Sequence, residues 1–214
     1  MTVSHHITDD LLYLYAAGEL DFGWSLAIAT HLAMCPQCRH RNAMFEDVLA
    51  ASLEDEEIAE VHTSVDDILG MVQGLPSLEN TPDVEVIEKP VFPKPLRDVA
   101  GDLKDIKWSA MGGGIKQKII HEQDGVISRL LYIPANKAAS SHGHNGLELT
   151  QVVVGGFYDG DQAFNCGDMQ IVGHESPHQP LAMSDGPCIC LAVTDAPLQF
   201  QNLLPKLFQR AFRI

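Results

Sequence analysis

The sequence predicts a multi-domain α + β chain: a small metal-binding helical bundle of about four helices, then an antiparallel β-barrel or jelly roll. Three observations carry this. His31, Cys35 and Cys38 fall in a stretch rich in Ala, Leu and Ile, so ligand-type residues and helices share the first 75 residues. Five prolines (Pro76, Pro82, Pro90, Pro93, Pro95) then interrupt a polar stretch, the composition of an extended linker. Beyond it, eight short β-rich segments recur between Gly, Pro, Asn and Asp turns, the spacing of a barrel or jelly roll. The expected division is 1–75 helical, 76–97 linker and 98–214 β.

The helices follow in order. Thr8 is placed to cap a first helix whose opening turn carries Asp9 and Asp10, favourable at the positive end of the dipole. Leu11, Leu12, Leu14 and Tyr15 follow at helical spacing, and Gly18 marks the end. A second helix is expected over Trp24–Met34, a third over Arg39–Leu53, and a fourth from the cap Ser64 to Gln73, before Gly74 and Pro76. The acidic segment Glu54–Glu60 either continues the third helix or loops out. Expected strands are Ile106–Ala110, Ile115–His121, Val126–Ile133, Leu147–Val154, Ala163–Cys166, Met169–Val172, Gln179–Met183 and Cys188–Thr194. The tail from Leu198 to Phe212 has helical character.

Composition narrows the class. No apolar run approaches the roughly 20 residues of a membrane span, and the amino terminus lacks a basic-then-apolar signal, so a cytoplasmic protein is expected. Five cysteines, two of them in a metal-type motif, argue against a secreted disulfide framework. Net charge is −15. Residues 1–80 hold 14 acidic residues against Arg39 and Arg41, a surface that repels nucleic acid and attracts a basic protein.

Two constellations carry chemistry. On a helix His31 and Cys35 lie one turn apart on one face. Pro36 breaks that helix, and the Cys-x-x-Cys turn returns Cys38 beside Cys35. Tetrahedral zinc takes four such ligands, and the adjacent His5 and His6 are both candidates for the fourth. A redox Cys-x-x-Cys would instead follow a strand in a βαβ unit. In the β half, His142, His144 and Glu148 share parity near a strand, so they point to one face. With His178 they form a set that binds zinc, iron or manganese; His174 competes for the fourth place.

These residues resemble the cupin motifs G-x5-H-x-H-x3-4-E-x6-G and G-x5-P-x-G-x2-H-x3-N. His142, His144, Glu148 and Gly155 match the first, with Asn136 at its leading glycine. Gly167 and His178 match the second, whose proline and glycine are missing and whose asparagine is replaced by Ala182. A His…His-x3-Cys-x2-Cys helical domain resembles a zinc-binding anti-sigma domain. Joined to a cupin, the whole chain looks like the ChrR class of anti-sigma factors. The segments His5–Leu12, Ala29–Leu32, Gly146–Thr150, Cys188–Ala192 and Leu204–Leu207 carry the match.

The resemblance implies zinc on His6, His31, Cys35 and Cys38. It implies a second metal on His142, His144, Glu148 and His178, zinc favoured over iron or manganese. It also implies a non-enzymatic regulator whose partner is an extracytoplasmic-function sigma factor, released on an oxidative signal such as singlet oxygen, with no direct nucleic-acid contact. A dimer through the cupin is compatible with it. The competing class is a metal-dependent cupin oxygenase or isomerase, which needs an open metal position. Elsewhere, Cys188 and Cys190 alternate on one strand face and read as packed side chains, with a dithiol sensor as the rival reading. Cys166 is a weaker sensor candidate. His40, His62 and His121 are expected in solvent, Trp24 and Trp108 as core anchors, and Met34 and Met44 in the helical core.

Overall fold

The computed structural model describes residues 2–53, 63–73, 92–143, 145–173, 177–197 and 199–200. Five helices precede an antiparallel β structure. Helix α1 (Asp9–Ala16) buries Leu11 and Leu12. The hydroxyl of Thr8 turns to the Asp10 carboxylate, holding it below its usual range, and accepts no helix amide. The helix ends in a Schellman turn: the Glu19 and Gly18 amides donate to Leu14 and Tyr15 carbonyls, with Gly18 at φ +73°.

Helix α2 (Phe22–Met34) and helix α3 (Pro36–Ser52) meet at Cys35, whose extended backbone closes one and opens the other. The third helix starts three residues earlier than expected. Pro36 occupies its first position, where a missing N–H costs nothing, and the Cys35 sulfur accepts the Cys38 amide at 3.4 Å. Helix α4 (Val65–Gln73) is capped by a reciprocal pair, Ser64 with Asp67, and buries none of its residues. Helix α5 (Lys94–Ala100) was not anticipated. The carboxyl end of the proline-rich stretch folds into it, Pro95 is tolerated in its first turn, and Phe92 and Leu96 are buried beside α2.

Ten strands follow in order: β1 (Ser109–Gly112), β2 (Ile115–Gln123), β3 (Val126–Ile133), β4 (His142–Gly143), β5 (Glu148–Val154), β6 (Gly156–Asp159), β7 (Gln162–Asn165), β8 (Met169–Val172), β9 (Leu181–Ala182) and β10 (Cys188–Thr194). A two-residue β11 (Gln199–Phe200) is also present. They form a six-stranded sheet ordered β1-β2-β3-β10-β5-β8, a three-stranded sheet β7-β6-β9 and the pair β11-β4. The expected barrel is therefore present as separate antiparallel sheets rather than one closed cylinder. Short β4 and β6, hidden among turn glycines, were missed, and β11 pairs with β4 where a helical tail was expected to begin.

Period-2 geometry gives the six-stranded sheet two different faces. Leu130, Leu149, Val153, Met169, Ile189, Leu191 and Val193 form one buried cluster with Ile7, Leu12, Ile28, Leu32 and Leu96 of the helical half. The opposite face holds Ile133, Val152 and Cys188, packed with Phe157, Phe164 and Ala182. Each fully buried Leu or Ile contributes about 1.5–3 kcal/mol, so helices and sheet share one core.

Candidate metal centres

The first centre assembles where α2, α3 and the amino-terminal segment meet. One ligand-type atom from each of His6, His31, Cys35 and Cys38 lies within 4.8 Å of every other. Nδ1 of His6 stands 3.3 Å from the Cys35 sulfur and 3.6 Å from that of Cys38. His5 does not join them: its ring packs 4.2 Å from Phe164 and its Nδ1 faces Asp168 at 3.4 Å.

Hydrogen bonds set the state of His31. The Gln151 Nε2 donates to the Val152 carbonyl at 2.8 Å, so its Oε1 is left to accept from His31 Nδ1–H, also at 2.8 Å. The His31 Nε2 is then a buried lone pair with no hydrogen-bond partner among the described residues, in the same cluster as the two sulfurs. Burial pushes this imidazole down to about 4, against the smaller opposing effect of Gln151, so it is neutral. Burial and the neighbouring Cys35 push the Cys38 thiol up. A buried lone pair aimed at two adjacent thiols is a donor set that a soft cation such as zinc fits.

The second centre lies on the far face of the sheet. His142, Glu148 and His178 also converge within 4.8 Å. His142 Nδ1–H donates to the Ser140 carbonyl at 2.8 Å, and His178 Nδ1–H to Asp159 at 2.6 Å. Their Nε2 atoms face each other at 3.1 Å. With both Nδ1–H groups engaged elsewhere, that contact is met either by a proton on one Nε2 or by a metal cation held by both. Burial lowers the His142 imidazole, outweighing the neighbouring carboxylate of Glu148. Thr150 donates to Glu148 at 2.8 Å, and buried Arg129 on β3 is electrostatically coupled to it.

A zinc-finger family matches residues 6–39, and the ChrR cupin-like domain family matches residues 96–197. The anti-sigma-E factor ChrR of Cereibacter sphaeroides is 43% identical over 215 residues, covering 100% of both chains. The chain belongs to the ChrR family of anti-sigma factors. The fold is also similar to the crystal structure of Rhodobacter sphaeroides SigE in complex with the anti-sigma ChrR. That match has a TM-score of 0.74 at 36% identity and covers 90% of this chain and 100% of that one.

Within this ChrR-family chain, His144, His174 and His62 lie outside the described residues, as do Glu54–Glu60, residues 74–91 and the tail beyond Phe200. Cys188 and Cys190 are buried on the cupin-interior face. Both are free thiols; the hydrogen bond between them, with burial, pushes the Cys190 thiol well above its usual range, and burial raises Cys166 too. Met34 packs against the shared core, but Met44 is 57% exposed and lies outside the helical core. His40 is exposed as expected, whereas His121 packs its ring 4.7 Å from that of Phe22 and buries its Nε2. Sequence reasoning missed Gln151, Asp159 and Asp168. The only signal for Gln151 was a polar residue inside the apolar run Leu149–Val154.

Proposed function

We propose that this chain is an anti-sigma factor. It sequesters an extracytoplasmic-function sigma factor through residues 1–75 and releases it when the cupin, residues 98–214, registers an oxidative signal such as singlet oxygen. The Pro-rich segment 76–97 joins the two, and the protein works in the cytoplasm; among the described residues no helix is long and apolar enough to cross a membrane. The full-length 43% identity to the anti-sigma-E factor ChrR carries this reading. It favours a regulator over the cupin oxygenase or isomerase alternative.

The two clusters support a division of labour. Zinc on His6, His31, Cys35 and Cys38 ties the amino-terminal segment, α2 and α3 together and adds folding energy to that helical half directly. A second metal, zinc in preference to iron or manganese, sits on His142, His144, Glu148 and His178. Helix α4 suits the partner contact: Val65, Ile68, Leu69, Met71 and Val72 are exposed apolar side chains beside Asp66 and Asp67. The test is co-purification from the native cell with identification of the partner, followed by transcription with that sigma factor. Cys38→Ser should lose one zinc and the inhibition together. A Cys38→Ser chain that lacks this zinc yet still inhibits, or a purified protein with no sigma-type partner, overturns the reading.

A further inference from the structure

We propose that Gln151, on cupin strand β5, is a positioning residue for the amino-terminal metal centre. The sheet thus supplies the outer contacts of a site whose ligands all belong to the helical half. This rests on reading His6, His31, Cys35 and Cys38 as a metal site.

Strand parity sends neighbouring side chains of β5 to opposite sides of the sheet. Glu148 and Gln151 are three residues apart on one strand and therefore project from opposite faces. Glu148 enters the cupin cluster; Gln151, fully buried, crosses into the helical half and meets His31. Its amide is pinned at the other end by donation to the Val152 carbonyl and by a 3.8 Å contact to the Met34 sulfur. A fixed acceptor on Nδ1–H selects the tautomer that leaves Nε2 free to bind, and it sets the plane of the ring.

A second contact from the same sheet acts on the His6 side. Asp168, fully buried in the β7–β8 turn, accepts the amides of Ser4 at 2.7 Å, His5 at 3.0 Å and Asn165 at 2.8 Å. The Met169 amide donates to the His5 carbonyl at 3.1 Å. The backbone leading into His6 is thereby held as an added edge on the cupin. Two of the four ligands are oriented by residues more than a hundred positions away in the chain. Any rearrangement of β5 that tilts Gln151 reaches His31 directly.

The experiment uses the full-length chain and reads metal release. Cobalt(II) is the probe, because of the two clusters among the described residues only the amino-terminal one contains sulfur, and a thiolate-to-metal charge-transfer band therefore reports on it. Gln151→Met keeps length and burial but removes the acceptor; Gln151→Glu keeps an acceptor. Gln151→Met should release metal to a chelator about 10–100-fold faster and shift the cobalt spectrum, with Gln151→Glu restoring slow release. Equal release from Gln151→Met and the native chain overturns the proposal, as does release from Gln151→Glu as fast as from Gln151→Met. Should Gln151→Met fail to fold, nitrogen-15 spectra of the zinc-loaded native chain decide. A slowly exchanging proton on His31 Nδ1 supports the proposal, and a proton on Nε2 refutes it. Absence of any charge-transfer band in the native chain would instead overturn the metal reading itself.

Discussion

Gly23, in the first turn of α2, lies so close to Ser128 of β3 that a Cβ at Gly23 would stand 2.5 Å from the serine hydroxyl oxygen. Val126 and Val193 side-chain atoms would lie at 3.0 and 3.3 Å. The helical half and the cupin sheet touch here without room for a methyl group. Gly23→Ala should therefore destabilise the full chain by about 1–3 kcal/mol through overpacking, even though alanine is the better helix former. Thermal unfolding of the two proteins checks this; an unchanged or raised midpoint would show that α2 does not dock as described.

The second centre makes its own prediction. Asp159 holds His178 through Nδ1–H and also receives Gln170 Nε2 at 2.6 Å. Asp159→Asn preserves shape but replaces the anionic acceptor that orients the His178 ring, so cupin metal affinity should fall about 10–100-fold. Chelator competition with metal analysis should show loss of one metal per chain. The sulfur-bound metal should stay in place.

The pH dependence follows from His31. In chelator-stripped protein its imidazole is held down to about 4, burial being the main cause, against an unfolded value near 6.5. A folded-state value below the unfolded one means that the folded chain binds fewer protons. Its stabilising contribution is complete above pH 6.5 and declines as pH falls toward 4. The total is on the order of 3 kcal/mol. Proton NMR of His31, with denaturant unfolding at several pH values, measures both. A midpoint for His31 near 6.5 contradicts the buried geometry.

Helix α4 separates binding from stability. Ile68 and Leu69 are 48% and 49% exposed and pack into no core cluster. Ile68→Asp with Leu69→Asp should leave the unfolding midpoint within about 0.5 kcal/mol of the native chain, while weakening sigma-factor binding at least tenfold. Calorimetric titration against the purified partner tests it.

What the sequence revealed and what it hid divide along physical lines. His31, Cys35 and Cys38 were legible because their spacing is local: one helical turn and one tight turn bring the atoms together. The β segments were legible from their turn residues, and β10 (Cys188–Thr194) carries the bounds expected for it. Gln151 was not legible as a partner of His31, because the two are 120 residues apart and meet only after the sheet has formed. Helix α5 was masked by prolines, which signal a linker yet are tolerated in a helix's first turn. Strands β5 and β10 lost their alternation because protein covers both faces. An apolar run of that kind says that a strand is buried without saying by what.

That double coverage has a consequence for inheritance. A wall with a tenant on each side has no face left to water, so a change of volume at Leu191 is felt by the helices and one at Cys190 by the cupin interior. A drifting residue on the wall must be answered by its neighbours across the partition. The two halves therefore cannot be exchanged singly with those of a distant relative. They have to travel as a pair.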